Sequence, residues 1–301
     1  MMVPYNKDPL SIIKAKNRSI AIFSTAGENI DEGVVNAFGE EWLKFQHYTD
    51  QDIYSLAIMY FDILTNDIIN KNTNALDIGC GTGRWTKFLS DRIGFIEAVD
   101  PSNAILAADY LLANTDNVRI TKAAVETIPF DDETFDFAMS IGVLHHIPDT
   151  QQAMKDCVKK IKKGGYFYCY LYYNFDNKGF AFKTLFFISD LFRKIVSRMP
   201  PGLKRFSCDA MAIFFYMPFV LTSRLLSKLG FKKLAKKIPL SDYANKSFFI
   251  IRNDTLDRFG TRLEQRFSKA QIEQMMVNSG LSNIKFGEHS PYWHAVGQRV
   301  S

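Results

Sequence analysis

The chain has 301 residues, more than one domain usually needs, and its 47% hydrophobic and 14% aromatic content excludes an intrinsically disordered protein. Lys and Arg number 37 against 32 Asp and Glu, but residues 175–240 carry a net charge of +10 and the remainder −5. The four cysteines form no C-x-x-C pair, so neither a disulfide framework nor a zinc site is indicated.

The N-terminal segment and the apolar runs predict a cytoplasmic protein. Residues 1–19 lack the charged and then apolar pattern of a secretory signal. The longest apolar stretch, residues 210–221, has twelve residues and contains Pro218, whereas a membrane-spanning helix needs about 20. We therefore expect no transmembrane helix.

Residues 1–70 predict a polar arm followed by helices. Residues 1–30 are polar and weakly patterned, so we expect an arm without regular structure. In residues 31–70 apolar side chains recur every three or four positions, as in Phe38 and Trp42, which is the spacing of an amphipathic helix.

Residues 71–174 alternate between strand patterns and helical patterns. This alternation predicts a parallel, doubly wound α/β sheet. Lys162 and Lys163, followed by Gly164 and Gly165, are expected to end the last helix as a cationic turn and a glycine cap. The strands are predicted at about 75–79, 95–99, 118–122, 135–140 and 166–172, and the helices at about 84–92, 102–113 and 149–162.

The remaining segments, 175–267 and 268–301, differ in pattern. The first predicts a helical insertion that is broken at residues 199–202, where the sequence is Met-Pro-Pro-Gly. In the second, Ser268 is typical of a helix N-cap, Gly280 closes that helix, and two strand patterns follow. We therefore expect residues 268–301 to complete the sheet.

A glycine-rich loop follows the first predicted strand, in the sequence LDIGCGTGRW at residues 76–85. Glycine at every second position lets the backbone turn sharply and approach a ligand, which is typical of a nucleotide-like cofactor site at the carboxyl end of a strand. A dinucleotide fingerprint G-x-G-x-x-G would need glycine at position 84 or 86, and these positions hold Arg84 and Thr86. The loop therefore disfavours a dinucleotide cofactor.

With Asp77 two residues ahead of the glycines, this loop resembles motif I of the class I S-adenosylmethionine (SAM) dependent methyltransferases. The resemblance is to the type 11, UbiE-like group of small-molecule enzymes. Four further landmarks follow in the family's order, namely VDPS at 99–102, ETIPF at 126–130, FDFAMSIGVLHHI at 135–147 and KKIKKGGYFYCYLY at 159–172.

The resemblance implies a Rossmann-like, seven-stranded doubly wound sheet with SAM as cofactor, S-adenosylhomocysteine as product and no metal. Residues 1–70 would supply the arm and lid helices, and residues 71–174 the SAM-binding core. Residues 175–267 would form a helical cap over the acceptor pocket, and residues 268–301 would complete the core.

The resemblance also assigns cofactor contacts by position. Asp77 would contact the ammonium group of SAM, and Asp100 would accept hydrogen bonds from the ribose hydroxyls. The family's adenine-binding acid is replaced by Ala124, so neighbouring backbone groups or Glu126 would bind the base. The predicted cofactor-binding residues are Asp77, Gly79, Cys80, Gly81, Gly83, Asp100, Pro101, Ser102, Ala124, Val125, Glu126, Ser140 and Ile141.

His145 and His146 are the catalytic candidates because they follow the fourth strand of the family pattern. A neutral imidazole can take the proton of an attacking hydroxyl. The alternative is that both histidines only orient the loop. Methyl transfer from an activated sulfonium needs little beyond alignment of the reacting atoms, so the absence of a base would not exclude activity.

Acceptor contacts are predicted at the lid, after the fifth strand and near the C terminus. Trp42 and Tyr48 would pack over the cofactor, or simply within the protein. Arg252 and Arg258 would clamp an anionic acceptor, or pair with nearby acids. The full set is Trp42, Tyr48, Tyr172, Tyr173, Asn174, Arg252, Arg258, Tyr292 and His294.

The sequence therefore predicts a cytoplasmic methyltransferase acting on an oxygen or nitrogen of a small molecule, which the basic cap favours as anionic. One alternative is a lipid, isoprenoid or quinone-precursor acceptor at a membrane surface, with peripheral membrane contact. Another is a non-catalytic SAM-binding protein. Nucleic acid is not expected as a partner because no RNA-binding module or D/N-P-P-Y/F tetrad is present. The sequence leaves the oligomeric state open.

Overall fold

A computed structural model of the chain describes residues 2–44, 49–175 and 179–300. The strands are β1 (Ser11–Lys14), β2 (Ser19–Ile22), β3 (Asn74–Ile78), β4 (Phe95–Asp100), β5 (Val118–Lys122), β6 (Phe135–Ile141), β7 (Ile161–Tyr170), β8 (Leu281–Phe286) and β9 (His294–Arg299). The helices are α1 (Glu32–Lys44), α2 (Asp50–Tyr60), α3 (Arg84–Ser90), α4 (Ile105–Leu111), α5 (Thr150–Lys159), α6 (Phe180–Val196), α7 (Pro201–Met211), α8 (Met217–Lys228), α9 (Lys232–Ala235), α10 (Phe248–Gly260) and α11 (Lys269–Asn278).

The chain divides into two compact units. The core unit comprises Met1–Asp176 and Leu263–Ser301, and the helical unit comprises Asn177–Arg262. All described strands lie in the core unit.

One mixed sheet runs through the core unit in the order β1-β2-β5-β4-β3-β6-β7-β9-β8. The six central strands from β2 to β7 are parallel, and β1, β9 and β8 pair antiparallel. One hydrophobic cluster includes α5 and α11 and a second includes α2, α3 and α4, which covers the sheet with helices. The predicted Rossmann-like α/β fold is confirmed, with nine strands among the described residues instead of seven.

The two additional strands correct the expectation of an irregular N-terminal arm. Residues 11–22 form the hairpin β1–β2, and Ala21 pairs with Thr121 of β5. Ile20 is completely buried, and Arg18 at the turn forms an ion pair with Asp109 at 3.2 Å. The N-terminal segment is therefore held at the edge of the sheet by strand pairing and by this ion pair.

The end of α5 also differs from the prediction. The helix ends at Lys159, and residues 162–165 belong to β7, where the pairing with β6 shifts register. Arg299 of β9 lies at this helix end and donates hydrogen bonds to the carbonyls of Lys159 and Ile161. A residue 140 positions away thus supplies the cap that the local lysines were expected to provide.

The helical unit has a hydrophobic core of its own. Val196, Cys208, Ala212, Tyr216 and others from α6, α7 and α8 are buried against α10. A five-residue π-helical turn, Ala212–Tyr216, joins α7 directly to α8.

The joined helices are longer than the sequence pattern suggested. The segment Gly202–Lys228 has 27 residues and a mean hydropathy of 1.5 over its most apolar window, so its length and composition would allow it to cross a membrane. The helix is thus longer than the twelve-residue apolar stretch from which we expected no transmembrane helix, and that expectation stays a prediction. A single such helix also occurs in proteins without membrane spans and does not establish one.

Candidate cofactor site

The loop between β3 and α3 turns sharply because its glycines take left-handed backbone angles. The φ values are +77° at Gly79, +54° at Gly81 and +78° at Gly83. The Gly79 N–H donates to the Val99 carbonyl at 2.7 Å, which ties the loop to β4. A Cβ at position 79 would lie 2.5 Å from Val143 Cγ2, so a side chain there would displace the loop after β6.

Asp100 at the end of β4 holds the glycine loop in place. Its Oδ2 accepts the Gly81 N–H at 2.9 Å, and its Oδ1 accepts the Ser102 N–H at 2.8 Å and the Ser102 hydroxyl at 2.6 Å. A carboxylate has about four acceptor sites, so this one retains capacity for a ligand hydroxyl. Pro101, between the two residues, is half-buried.

Asp77 lies one residue before the end of β3 and is 1% exposed. Its carboxylate accepts the Thr86 hydroxyl hydrogen bond. Burial raises the pKa of Asp77 to about 7, and the nearby Asp100 charge acts in the same direction. A cation beside Asp77 would favour its charged form. Cys80 is also buried, which raises the pKa of its thiol well above the usual value.

Helix α1 lies against the loops that follow β3 and β4. The Trp42 indole nitrogen is 3.7 Å from the position that a Cβ on Gly81 would take. The Arg84 guanidinium stands 5.2 Å from the Trp42 ring and 4.6 Å from the Trp85 ring. A Cβ on Gly39 of α1 would approach Ser102 Cβ to 3.1 Å.

That α1 forms a lid over the cofactor stays a prediction. The other lid candidate, Tyr48, lies outside the described residues.

The predicted adenine-binding loop is packed against the N-terminal segment. Ala124 is buried and Val125 is half-buried. The Glu126 carboxylate accepts the Asn29 N–H at 2.8 Å, and the Thr127 hydroxyl donates to the Ser24 carbonyl. Glu126 is thus already engaged by the arm, which leaves the backbone around Ala124 and Val125 as the remaining candidate contacts.

The end of β6 brings Ser140 and Ile141 to the same sheet edge. The Ser140 hydroxyl donates to the Ile78 carbonyl at 3.0 Å, which joins the ends of β6 and β3. Both side chains are buried, Ser140 completely.

His145 and His146 follow in a short 3₁₀ turn. The buried His145 ring stacks on Tyr172, with a centroid separation of 3.9 Å and an interplanar angle of 27°. Burial, with His146 and Arg266 nearby, lowers the pKa of His145 well below its usual value, so the ring is neutral near pH 7. Within the described residues its nitrogens have no hydrogen-bond partner. His146 Nδ1 donates to the Leu263 carbonyl at 2.7 Å, and its ring lies 4.9 Å from Phe38 of α1.

Three of the predicted acceptor residues make aromatic contacts near the end of β7, Tyr172 in one group and Tyr173 with Tyr292 in another. Tyr172 stacks on His145, and the Tyr173 ring lies 4.5 Å from Phe175 and 5.7 Å from Tyr292. The neighbouring Asn174 has an exposed side chain.

Arg266 belongs to the arginine-rich segment 252–266, which the sequence suggested as a clamp for an anionic acceptor, and it lies beside His145 and Tyr172. Its guanidinium stands 5.1 Å from the Tyr172 ring and forms an ion pair with the buried Glu264 at 2.6 Å. Its place in an arginine-rich segment gave the only sequence signal.

His294, Arg252 and Arg258 have partners within their own units. His294 is completely buried, with Nε2 2.7 Å from Asp62 Oδ1 and Nδ1 2.7 Å from the Pro291 carbonyl. Arg252 forms a two-point ion pair with Asp209, and Arg258 donates to the Tyr216 hydroxyl at 3.2 Å.

The residues at the carboxyl edge of the sheet fit a nucleoside cofactor with a cationic tail. The backbone at Gly81 carries no side chain and faces Trp42, Asp100 retains acceptor capacity, and Asp77 is a buried acid that a cation would ionise. Among the described residues, no three His, Cys, Asp or Glu side chains are arranged to hold a metal ion.

Comparison with known proteins gives the family of this region. Residues 76–169 match the family model described as a methyltransferase domain. Demethylmenaquinone methyltransferase from Staphylococcus aureus is 34% identical over 106 residues, which cover 34% of this chain and 44% of that protein. The chain thus spans less than half the length of this curated relative.

Solved structures with lower sequence identity also match. A SAM-dependent methyltransferase from Thermotoga maritima matches with 16% identity and a TM-score of 0.44, covering 86% of this chain and 93% of that one. The YcgJ protein from Bacillus subtilis matches with 14% identity and a TM-score of 0.44, covering 72% and 65%. Residues 76–169 thus match a methyltransferase domain, and the sheet order and the glycine loop of this region agree with that match.

Proposed function

We propose that the protein transfers a methyl group from SAM to an oxygen or nitrogen of a small-molecule acceptor and releases S-adenosylhomocysteine. The observation that carries the proposal is the junction of β3 and β4, where Asp100 binds the Gly81 N–H and the glycine loop faces Trp42. This arrangement combines a close backbone approach with an acidic acceptor, as a nucleoside cofactor requires.

SAM supplies an activated methyl group on a sulfonium, so the protein has mainly to position the reacting atoms. Asp77 would hold the ammonium group and Asp100 the ribose hydroxyls. Trp42 and Arg84 of the α1 contact would shield the glycine loop from water. Ser140 fixes the ends of β6 and β3 relative to each other and would form part of the floor of the cofactor site.

His145 is the better candidate for a proton acceptor. A neutral ring with a lowered pKa could take a proton at neutral pH, and its stacking on Tyr172 would fix its orientation. His146 is the second candidate. Its Nδ1 donates to the Leu263 carbonyl, which leaves its buried Nε2 as the nitrogen that could take a proton.

We infer the class of acceptor from the charge of the helical unit. The helical unit carries 17 Lys and Arg and five Asp, which would favour an anionic acceptor. A second candidate is a lipid, isoprenoid or quinone precursor, favoured by the exposed apolar side chains of the helical unit and by the activity named for the Staphylococcus aureus relative.

The experiment is a turnover assay that detects S-adenosylhomocysteine with a panel of soluble anionic metabolites and of quinone precursors in detergent. We expect at least one acceptor to support release, and the Asp100→Ala variant to lose it. Wild-type protein that binds SAM but methylates no member of a broad panel would favour the non-catalytic SAM-binding alternative.

A further inference from the structure

The helix pair α7–α8 presents an apolar face to solvent. Between Arg205 and Arg224 the only charged residue is Asp209, which is paired with Arg252. Phe206, Phe214 and Phe215 are 70%, 71% and 66% exposed. We call this surface the aromatic face, and its members are Leu203, Phe206, Ile213, Phe214, Phe215, Phe219, Leu221 and Leu225.

The opposite side of the same helices is fixed in the helical unit. Cys208, Ala212, Tyr216 and Val220 are at most 5% exposed and belong to its hydrophobic core. Because one side already packs on protein, the Gly202–Lys228 segment is suited to lie on a membrane rather than to cross it. Large exposed aromatic side chains clustered in this way mark a surface that binds an apolar partner.

A second apolar stripe lies on α6. Phe187, Leu191 and Ile195 recur at a spacing of four residues, and all are more than half exposed. Helix α6 therefore exposes apolar side chains, as α7 and α8 do.

Basic residues flank the aromatic face. Lys204 and Arg205 lie between its first two members, Leu203 and Phe206. Five exposed lysines follow the face, namely Lys228, Lys232, Lys233, Lys236 and Lys237. The helical unit has a net charge of +12, whereas the rest of the chain has −7. Exposed aromatic groups next to lysines complement the acyl boundary and the anionic headgroups of a bilayer.

We propose that the helical unit docks on an anionic lipid bilayer, with the aromatic face in the interfacial region and the lysines of 228–237 against lipid phosphates. A nucleic acid would engage the lysines but not the phenylalanines. A second copy of this chain would bring two strongly basic surfaces together. The proposal does not depend on methyl transfer.

The experiment measures binding of the full chain to vesicles by flotation, comparing phosphatidylcholine alone with a mixture containing about 30% phosphatidylglycerol. We expect binding to the anionic vesicles to exceed binding to neutral ones by more than about tenfold and to weaken with salt. The Phe206→Ser, Phe214→Ser, Phe215→Ser triple variant should lose at least about tenfold in affinity. Reversal of Lys232, Lys233, Lys236 and Lys237 to Glu should abolish the preference for anionic lipid.

Matched controls separate docking from misfolding. Leu10→Ser with Val277→Ser removes exposed apolar side chains from the core unit and should leave vesicle binding unchanged. SAM affinity should be unchanged in all variants. Loss of vesicle binding can therefore be distinguished from a failure of the proposed methyltransferase function. In a Phe214→Trp variant, brominated lipid should quench the fluorescence of the introduced tryptophan. Brominated lipid should not quench the tryptophan fluorescence of the wild-type protein.

Three results would overturn the proposal. Equal binding of wild type and the triple Ser variant would exclude the aromatic face. Wild type that remains in membranes after alkaline carbonate washing would indicate a spanning helix instead. A stable dimer that the triple Ser variant converts to monomer, without vesicle binding, would show that a second copy covers this face.

Discussion

Asp77 and Asp100 lie at the ends of adjacent strands, but their surroundings give them different properties. Asp100 accepts three hydrogen bonds from Gly81 and Ser102, whereas Asp77 is buried with the Thr86 hydroxyl as its partner. The sequence predicted both acids, because a glycine loop and the end of a strand are local patterns. It did not predict the Thr86 contact, since that depends on the direction of α3.

The backbone at Gly81 gives the first prediction. Gly81→Ala should weaken SAM binding at least about tenfold, because a side chain at φ +54° strains the loop that faces the cofactor. Gly164→Ala is the matched control, since its φ is +84° and no atom lies within 4 Å of its Cβ position. Calorimetric titration measures the SAM affinity of both variants. An equal loss of affinity in the two would assign the effect to general destabilisation.

The raised pKa of Asp77 predicts a pH dependence of SAM binding. The carboxyl is half-protonated near pH 7 in the free protein, and a bound ammonium group would favour the charged form, so binding should release a proton. The dissociation constant should therefore fall as pH rises from 6 to about 7 and level off above it. Asp77→Asn should flatten this dependence, and a pH dependence that survives in the variant would contradict the assigned contact.

The same shift has a consequence for stability. An acid whose folded pKa lies above its unfolded value binds more protons in the native state between the two values. Asp77 thus makes the free energy of unfolding fall as pH rises from about 4 to about 7.

The catalytic assignment of His145 predicts a separation of rate from binding. In His145→Phe the ring can still stack on Tyr172 but position 145 no longer offers a base, so kcat should fall about 100- to 10,000-fold with unchanged SAM affinity. Because the pKa of His145 is lowered, the wild-type rate should not fall until pH is well below 6.5. A change in kcat below about threefold would leave His145 only the stacking role.

At the scale of elements, the sequence predicted the order of strands and helices in the centre of the core unit. Apolar periodicity is local, and β3, β4 and β5 lie where it placed them. The hairpin β1–β2 and the start of β7 could not be predicted. The hairpin depends on pairing with β5 and on Asp109, and the end of α5 depends on Arg299.

The contact of α1 with the loop after β4 gives an element-level prediction. Gly39→Val should push α1 away from Ser102, since even a Cβ would approach it to 3.1 Å, and SAM binding should weaken several-fold. Gly33→Val is the matched control, because Gly33 lies in the same helix and its Cβ would meet only the flexible Asp31 side chain. For both variants, titration with SAM measures the affinity and the thermal midpoint of unfolding measures the stability. Equal SAM affinities would mean that α1 is no lid.

At the scale of the whole molecule, the two units differ in charge and in surface. The core unit is acidic and carries the cofactor site, whereas the helical unit is basic and exposes the aromatic face. The sequence predicted the net charge of each region, because net charge follows from counting the charged residues. Exposure could not be predicted, since a run of phenylalanines suits a buried helix as well as a surface one.

The central claim is that the junction of β3 and β4 binds SAM, and one titration tests it most directly. Calorimetry of the wild-type protein should show saturable binding of SAM and S-adenosylhomocysteine, and no tighter binding of NAD. Asp100→Ala should weaken SAM at least about tenfold, as expected for hydrogen bonds to a charged acceptor worth about 1.5–3 kcal/mol. Tighter binding of NAD than of SAM, or unchanged SAM affinity in a folded Asp100→Ala variant, would contradict the account.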